Sequence, residues 1–352
     1  MGLVRFTLAL IVLASHAGAW QYSIGARASV QVFFVLSGLY MAAVYTTKYH
    51  RADHSVRTFY LNRALRLWPT YLFILALTAV VWFTLGRWIG NDELIFNLFT
   101  NTGPAHGGMA VLSFVLFGQD IASVNEALHY MLPVRQSWSI GSELLFYLTV
   151  PFILRTPRPA AYFIGFGVLM GVKYLAVRYT GSDRLSYFFP LGNYGYFLLG
   201  CGLYFVSVHP RAEWLKTKIA VHRHVLLSAL LALLLFGNES SFEIGGVRAH
   251  FLLVGLFSMA TLLLFERSTN PVGNMLGNMS YGIYLNHFLI LGIIKSMGLQ
   301  GPMLLACTIV GSVSLSFLTE RYVQKPIDRY RYRLVQHKRP SQTPPNPPEP
   351  SR

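Results

Sequence analysis

The chain has 352 residues, of which 53% are hydrophobic and 12% charged, with a mean hydropathy of +0.44. That composition excludes an ordinary soluble domain and points to a polytopic membrane protein. The formal net charge of +15 would suggest nucleic acid in a soluble protein, but most of the charge lies between apolar runs, as in cytoplasmic loops, so no nucleic-acid partner is expected.

Apolar runs recur at about 3–20, 28–46, 69–86, 138–154, 160–177, 186–207, 224–237, 249–265, 279–297 and 302–319, most of them near the length a helix needs to span a bilayer. They predict an all-α, polytopic membrane helical bundle of about ten transmembrane helices. A further run at 109–118 is too short to cross alone and is expected to be a re-entrant or interfacial helix. Residues 1–335 read as one membrane-embedded domain, and the Pro-rich tail 336–352 as a disordered cytoplasmic segment. Cys201 and Cys307 sit in different apolar runs without metal-ligand spacing, so core packing is their expected role and no metal is expected.

The basic residues orient the chain. Lys48, Arg51, Arg57, Arg63 and Arg66 lie between the second and third runs, Arg211, Lys216, Lys218 and Arg223 in a segment from 209 to 223, and ERYVQKPIDRYRYR follows the last run. All three segments belong on the cytoplasmic side. This predicts ten crossings with both termini inside, and His16 towards the outer half of its span.

The first run, VRFTLALIVLASHAGAW, carries Arg5 and His16. Ionisable side chains are costly in a bilayer unless paired, hydrated or near an interface. Eleven residues make about three helical turns, so both point the same way, about 16 Å apart along the axis. Arg5 alone reads as an interfacial anchor; His16 suits general-base work near neutral pH. In FYLNRALRLWP, Arg63 and Arg66 share a helix face where two guanidinium forks can grip phosphate, although positive-inside charge explains an isolated RxxR equally well. WSIGSELLFYLTVP holds Glu143, the single acid of its run, with Trp138 and Ser139 at its start. The carboxylate could orient an imidazole as the third member of a triad does, or pack with an arginine. His287, in MSYGIYLNHFLI, is a second intramembrane imidazole.

The order R-x10-H, then VQVFFVLSGLYM, RALRLWPTY, WSIGSELLFYLTVP and MSYGIYLNHFLI, over nearly the whole chain, resembles the acyltransferase 3 family of integral membrane acyltransferases. The resemblance implies a bacterial inner-membrane O-acetyltransferase, with residues 1–335 as its membrane-embedded acyltransferase domain. It would move an acyl group, usually acetyl, from cytoplasmic acetyl-CoA to a hydroxyl of a saccharide or glycolipid. Acetyl-CoA is then a co-substrate and no permanently bound cofactor is expected. Arg5 and His16 match the family's R-x10-H, and Arg63 and Arg66 its RxxR. Relatives commonly read SLSVEEQFY where this chain reads SIGSELLFY, so one of the two usual acids, Glu143, is present. On this reading His16 is the general base, with Arg5 or Glu143 orienting it. Arg63 and Arg66 hold the donor phosphates, and His287, Trp138 and Ser139 line the acceptor site. The alternative of a different class is a transporter or flippase for a lipid-linked sugar, since intramembrane charges also mark translocation pathways.

Overall fold

The computed structural model describes residues 2–18, 25–49, 56–89, 104–155, 158–210 and 271–336, with isolated positions between 212 and 248. The expected spans at 224–237 and 249–265, most of the basic segment 209–223, and the tail beyond Gln336 lie outside the described residues. The other eight apolar runs are helical over most of their described residues. Helix α1 covers Gly2–His16; α2 covers Gly25–Val44 and continues in a π-helical turn, Tyr45–Tyr49; α3 runs from Val56 to Ile89. The short helices α4 (Pro104–Val115), α5 (Gln119–Ala122) and α6 (Glu126–Tyr130) lead to α7 (Trp138–Ile153). Then come α8 (Pro159–Thr180), α9 (Asp183–Phe188), α10 (Pro190–Ser207), α11 (Pro271–Ser296) and α12 (Gly301–Thr319). A second π-helical turn, Glu320–Gln324, joins α12 to α13, Lys325–Gln336. Apart from these, residues Glu243–Ile244 pair antiparallel with Val247–Arg248.

Four segments among the described residues, Gly25–Tyr49, Val56–Leu85, Pro159–Thr180 and Gly301–Arg333, have the length and hydropathy to cross a membrane. These four, not ten, are what length and composition establish. Helix α11 is long enough, but its hydropathy is diluted by Asn274, Asn278, Ser280, Asn286 and His287. Of these, Ser280, Asn286 and His287 are buried inside the bundle. Large apolar side chains such as Phe83, Phe152, Ile164, Val168 and Val310 point outwards, as they do where the surrounding solvent is hydrocarbon. The protein is a multi-pass, all-α membrane protein.

Most of the run at 109–118 lies in α4, whose 12 residues reach about 18 Å, well short of the roughly 30 Å hydrocarbon core. The chain turns after this helix at Leu116, φ 61°, and Gly118, φ 73°. Leu116 holds the left-handed conformation, unfavourable for a residue with a branched side chain, while fully buried. Trp68 of α3 donates to the Phe114 carbonyl at 3.1 Å, tying this turn to the bundle.

Helix α2 is the centre of the bundle, packed on α1 and on α10; α10 in turn packs on α8, and α1 on α11, which meets α12 and α3. Small residues permit the close crossings. A Cβ on Gly38 would lie 2.0 Å from the Phe197 carbonyl oxygen, and one on Gly200 would lie 2.0 Å from that of Val35. Helix α1 approaches α11 in the same manner, where a Cβ on Gly277 would be 2.7 Å from Gly2 Cα. Gly200→Leu is therefore expected to force α2 and α10 apart and destabilise the protein by about 1–3 kcal/mol or more. Thermal unfolding of the detergent-extracted protein checks this, and an unchanged midpoint would show that the two helices do not cross at Gly200.

Candidate active site

Helix α1 carries both ends of the site. Near its start Arg5 is half-buried, its guanidinium 5.8 Å from the Tyr40 ring of α2. Arg66, Glu143 and Tyr147 are close enough to interact with it electrostatically. Glu143 and Tyr147 lie four residues apart on α7 and so on one face. The Tyr147 hydroxyl donates to Glu143 Oε1, and Ser37 of α2 donates to the same oxygen at 2.7 Å.

Helix α3 brings in the arginine pair. With 34 residues it extends about 51 Å, so it outreaches the hydrocarbon core and its first turns can meet water. Arg63 lies 5.8 Å from the ring centres of both Phe59 and Tyr147, and donates to Asn62 Oδ1 at 2.9 Å. Arg66 lines a small pocket with Thr70, Asn278, Tyr281, Glu320 and Gln324. Its Nη1 is 3.8 Å from Asp328 Oδ2. Three arginines thus gather at one end of the bundle, from α1 and α3.

At the other end of α1, about 16 Å further along the axis, His16 is exposed. Its ring stacks on that of His287, with centroids 5.4 Å apart and planes at 21°, and its centroid is 4.5 Å from that of Phe288. His287 is fully buried. Its Nδ1 is 2.8 Å from the Tyr284 carbonyl oxygen and 3.3 Å from that of Ile283. A carbonyl only accepts, so Nδ1 carries the proton of the neutral ring. The bare lone pair is left on Nε2, a buried atom without a hydrogen-bond partner. Helix α7 and the turn before it are fixed against α11 beside this pair: Ser139 Oγ is 2.8 Å from the Tyr284 hydroxyl, and Gln136 donates to the Leu285 carbonyl at 2.5 Å.

Of the residues singled out in the sequence, His16 and His287 meet at one end of α1, while Arg5, Arg63, Arg66 and Glu143 gather towards the other. Glu143 is bonded to Ser37 and Tyr147, whereas His16 stacks on His287 and Phe288. The alternative in which the acid packs among arginines matches its surroundings better than the triad-like one. Trp138 is 3% exposed, edge-on to Phe34, Tyr187 and Phe188, so its indole forms a wall of the bundle. Ser139 is also buried. Sequence reasoning missed Tyr147, whose i,i+4 spacing from Glu143 was the available signal. It also missed Ser37 and Tyr40, whose partners lie far away in the chain, and Asp328, which meets the remote Arg66 as well as its neighbours Gln324 and Arg331.

The acyltransferase domain family known as acyltransferase 3 matches residues 1–321. The chain belongs to this family. Among its relatives in the acyltransferase 3 family is O-acetyltransferase OatA of Staphylococcus aureus, 25% identical over 93% of this chain and 56% of the relative. The putative peptidoglycan O-acetyltransferase YrhL of Bacillus subtilis is 23% identical over 94% of this chain and 55% of its own. This acyltransferase 3 chain therefore spans about half the length of these two relatives. Nodulation protein 10 of Rhizobium leguminosarum is 24% identical, over 95% of this chain and 94% of its own. No solved structure matches the chain.

Proposed function

We propose that the protein is a membrane O-acyltransferase that moves an acyl group, acetyl by preference, from cytoplasmic acyl-CoA to a hydroxyl of a cell-envelope saccharide or glycolipid. The observation that carries this reading is the division of α1 between an arginine cluster at one end and a stacked imidazole pair at the other. The names of OatA and YrhL as O-acetyltransferases, the latter putatively for peptidoglycan, support the acceptor class. The positive-inside pattern supports a bacterial inner-membrane location with both termini cytoplasmic.

In this mechanism Arg63 and Arg66 hold the donor phosphates at the cytoplasmic end, where planar guanidinium forks suit phosphate oxygens. The pantetheine arm is long enough to carry the thioester past Arg5 towards His16. There the acceptor hydroxyl attacks the thioester carbonyl as the His16 imidazole takes its proton. The carbon–sulfur bond then breaks, and the departing thiolate takes that proton back from the imidazolium. His16 is assigned as the base because it is the accessible imidazole. His287, buried and fixed by the Tyr284 carbonyl, holds the His16 ring from behind and lines the acceptor side. Glu143, with Ser37 and Tyr147, offsets the charge of Arg5 and Arg66 and keeps the passage polar.

Membrane vesicles with radiolabelled acetyl-CoA test the reaction and its sidedness together. Label is expected in the glycan or glycolipid fraction of inverted vesicles, whose cytoplasmic face is outermost, and not in right-side-out vesicles. Passage of a lipid-linked sugar across the bilayer without label transfer would establish the transporter alternative instead.

A further inference from the structure

We propose that α13 supplies a third arginine, Arg331, to the phosphate site of Arg63 and Arg66, and that the Asp328 carboxylate occupies that site until a phosphate displaces it. The inference rests on the donor reading above and adds to it a binding residue and an internal competitor, both beyond the last apolar helix.

Two guanidinium groups from opposite ends of the chain converge on one amide oxygen. Arg63 Nη2 and Arg331 Nη2 donate to Asn62 Oδ1 at 2.9 Å and 2.8 Å. A second convergence lies beside it, where Arg331 Nη1 donates to Asp328 Oδ1 and Arg66 Nη1 is 3.8 Å from Asp328 Oδ2. Gln324 Nε2 also donates to Asp328 Oδ1 at 3.0 Å, and its own Oε1 accepts from Thr70 of α3 at 3.0 Å. The π-helical turn Glu320–Gln324 therefore sets α13 against the RxxR face of α3.

The cluster has more cation than anion. Arg66, Asp328 and Arg331 have side chains only 18%, 17% and 13% exposed. Of the remaining acids, Glu320 is within range of Arg66 and accepts from Asn278 at 3.1 Å, while Glu143 is balanced by Arg5. Counting Asp328 and Glu320, three arginines still leave an excess positive charge in a poorly hydrated place, where such an excess is expensive without an anion. Arg63 Nε and Arg331 Nε are buried donors with no acceptor. A phosphate brings more charge and more acceptor oxygens than a carboxylate, so it can take up the donors that Asp328 leaves unused. A single Asp328 carboxylate bridging Arg66 and Arg331 is the contact a phosphate would make there.

Phosphate of this kind could come from the nucleotide end of CoA or from a lipid headgroup, since α13 also exposes Tyr330, Tyr332, Arg329 and Arg333 in the manner of an interfacial helix. The proposal commits to CoA, because the donors face the α3 arginines. Equilibrium binding of CoA and of adenosine 3′,5′-bisphosphate to the full chain in phosphatidylcholine nanodiscs tests it. Arg331→Ala is expected to weaken both ligands about tenfold, the loss typical of a charge-assisted contact to phosphate, and Arg331→Lys to weaken them less. Asp328→Asn, which keeps an acceptor for Arg331 but removes the competing charge, is expected to bind both several-fold more tightly. A variant that merely damaged the fold would not gain affinity. Unchanged binding in Asp328→Asn together with unchanged binding in Arg331→Ala overturns the proposal while leaving the donor reading intact. Loss of binding to phosphatidylglycerol nanodiscs in Arg331→Ala, with CoA binding retained, assigns the site to lipid and also overturns it. Absence of saturable CoA binding in the unsubstituted protein would remove the donor reading as well.

Discussion

His16→Ala is expected to lower acyl transfer by about 10² to 10⁴, the range typical of losing a general base, while leaving the protein folded and inserted. The physical grounds are local. The ring is at the exposed end of α1 and stacks on His287 and Phe288, so its removal opens no void in the core built around α2. His287→Ala is expected to be milder in rate but harder on stability, because it empties a fully buried position and removes the side-chain hydrogen bond to the Tyr284 carbonyl. Transfer assays on purified protein, with thermal unfolding measured on the same samples, separate the two effects. Near-normal turnover in His16→Ala would remove that residue from the mechanism and make His287, with its bare Nε2, the base to test.

The second large effect is expected at Arg63 and Arg66. Changing either to Lys keeps the positive charge that orients the chain but loses the planar fork that pairs with phosphate oxygens. Donor KM is expected to rise about tenfold or more for each lost contact, since a hydrogen bond to a charged group is worth roughly 1.5–3 kcal/mol. Acceptor KM should stay nearly constant, and Ala should cost more than Lys. The two positions are not equivalent. Arg63 packs on Phe59 and Tyr147 and bonds Asn62, so part of its loss will appear as stability. Arg66 faces a pocket and a long ion pair, so its loss should be almost entirely kinetic. Lys variants with unaltered donor kinetics would mean that the pair serves orientation alone and that phosphate is held elsewhere.

By itself the sequence determined what local periodicity and hydropathy determine. Long apolar runs between basic segments can satisfy their backbone in a bilayer only as helices, which makes the protein a helical membrane bundle. A period of 3.6 residues puts Arg5 and His16 on one face of α1 and Glu143 one turn from Tyr147. The run at 109–118 was legibly too short to span. The tertiary structure decided which faces meet, because helix rotation and crossing depend on contacts between residues remote in the chain. Gly38 against Phe197 and Gly200 against Val35 set how α2 lies on α10, and no local pattern states that pairing. The same long-range packing puts His287 under His16 and surrounds Glu143 with Ser37, Tyr147 and arginines instead of an imidazole. It also lays Arg331 and Asp328 of α13 on the arginine face of α3, whereas in the sequence they belong only to a basic segment that follows the last apolar run. A charge in the sequence shows only that a partner or water is needed; three-dimensional packing selects which, since the desolvation cost is offset only by groups within a few ångströms.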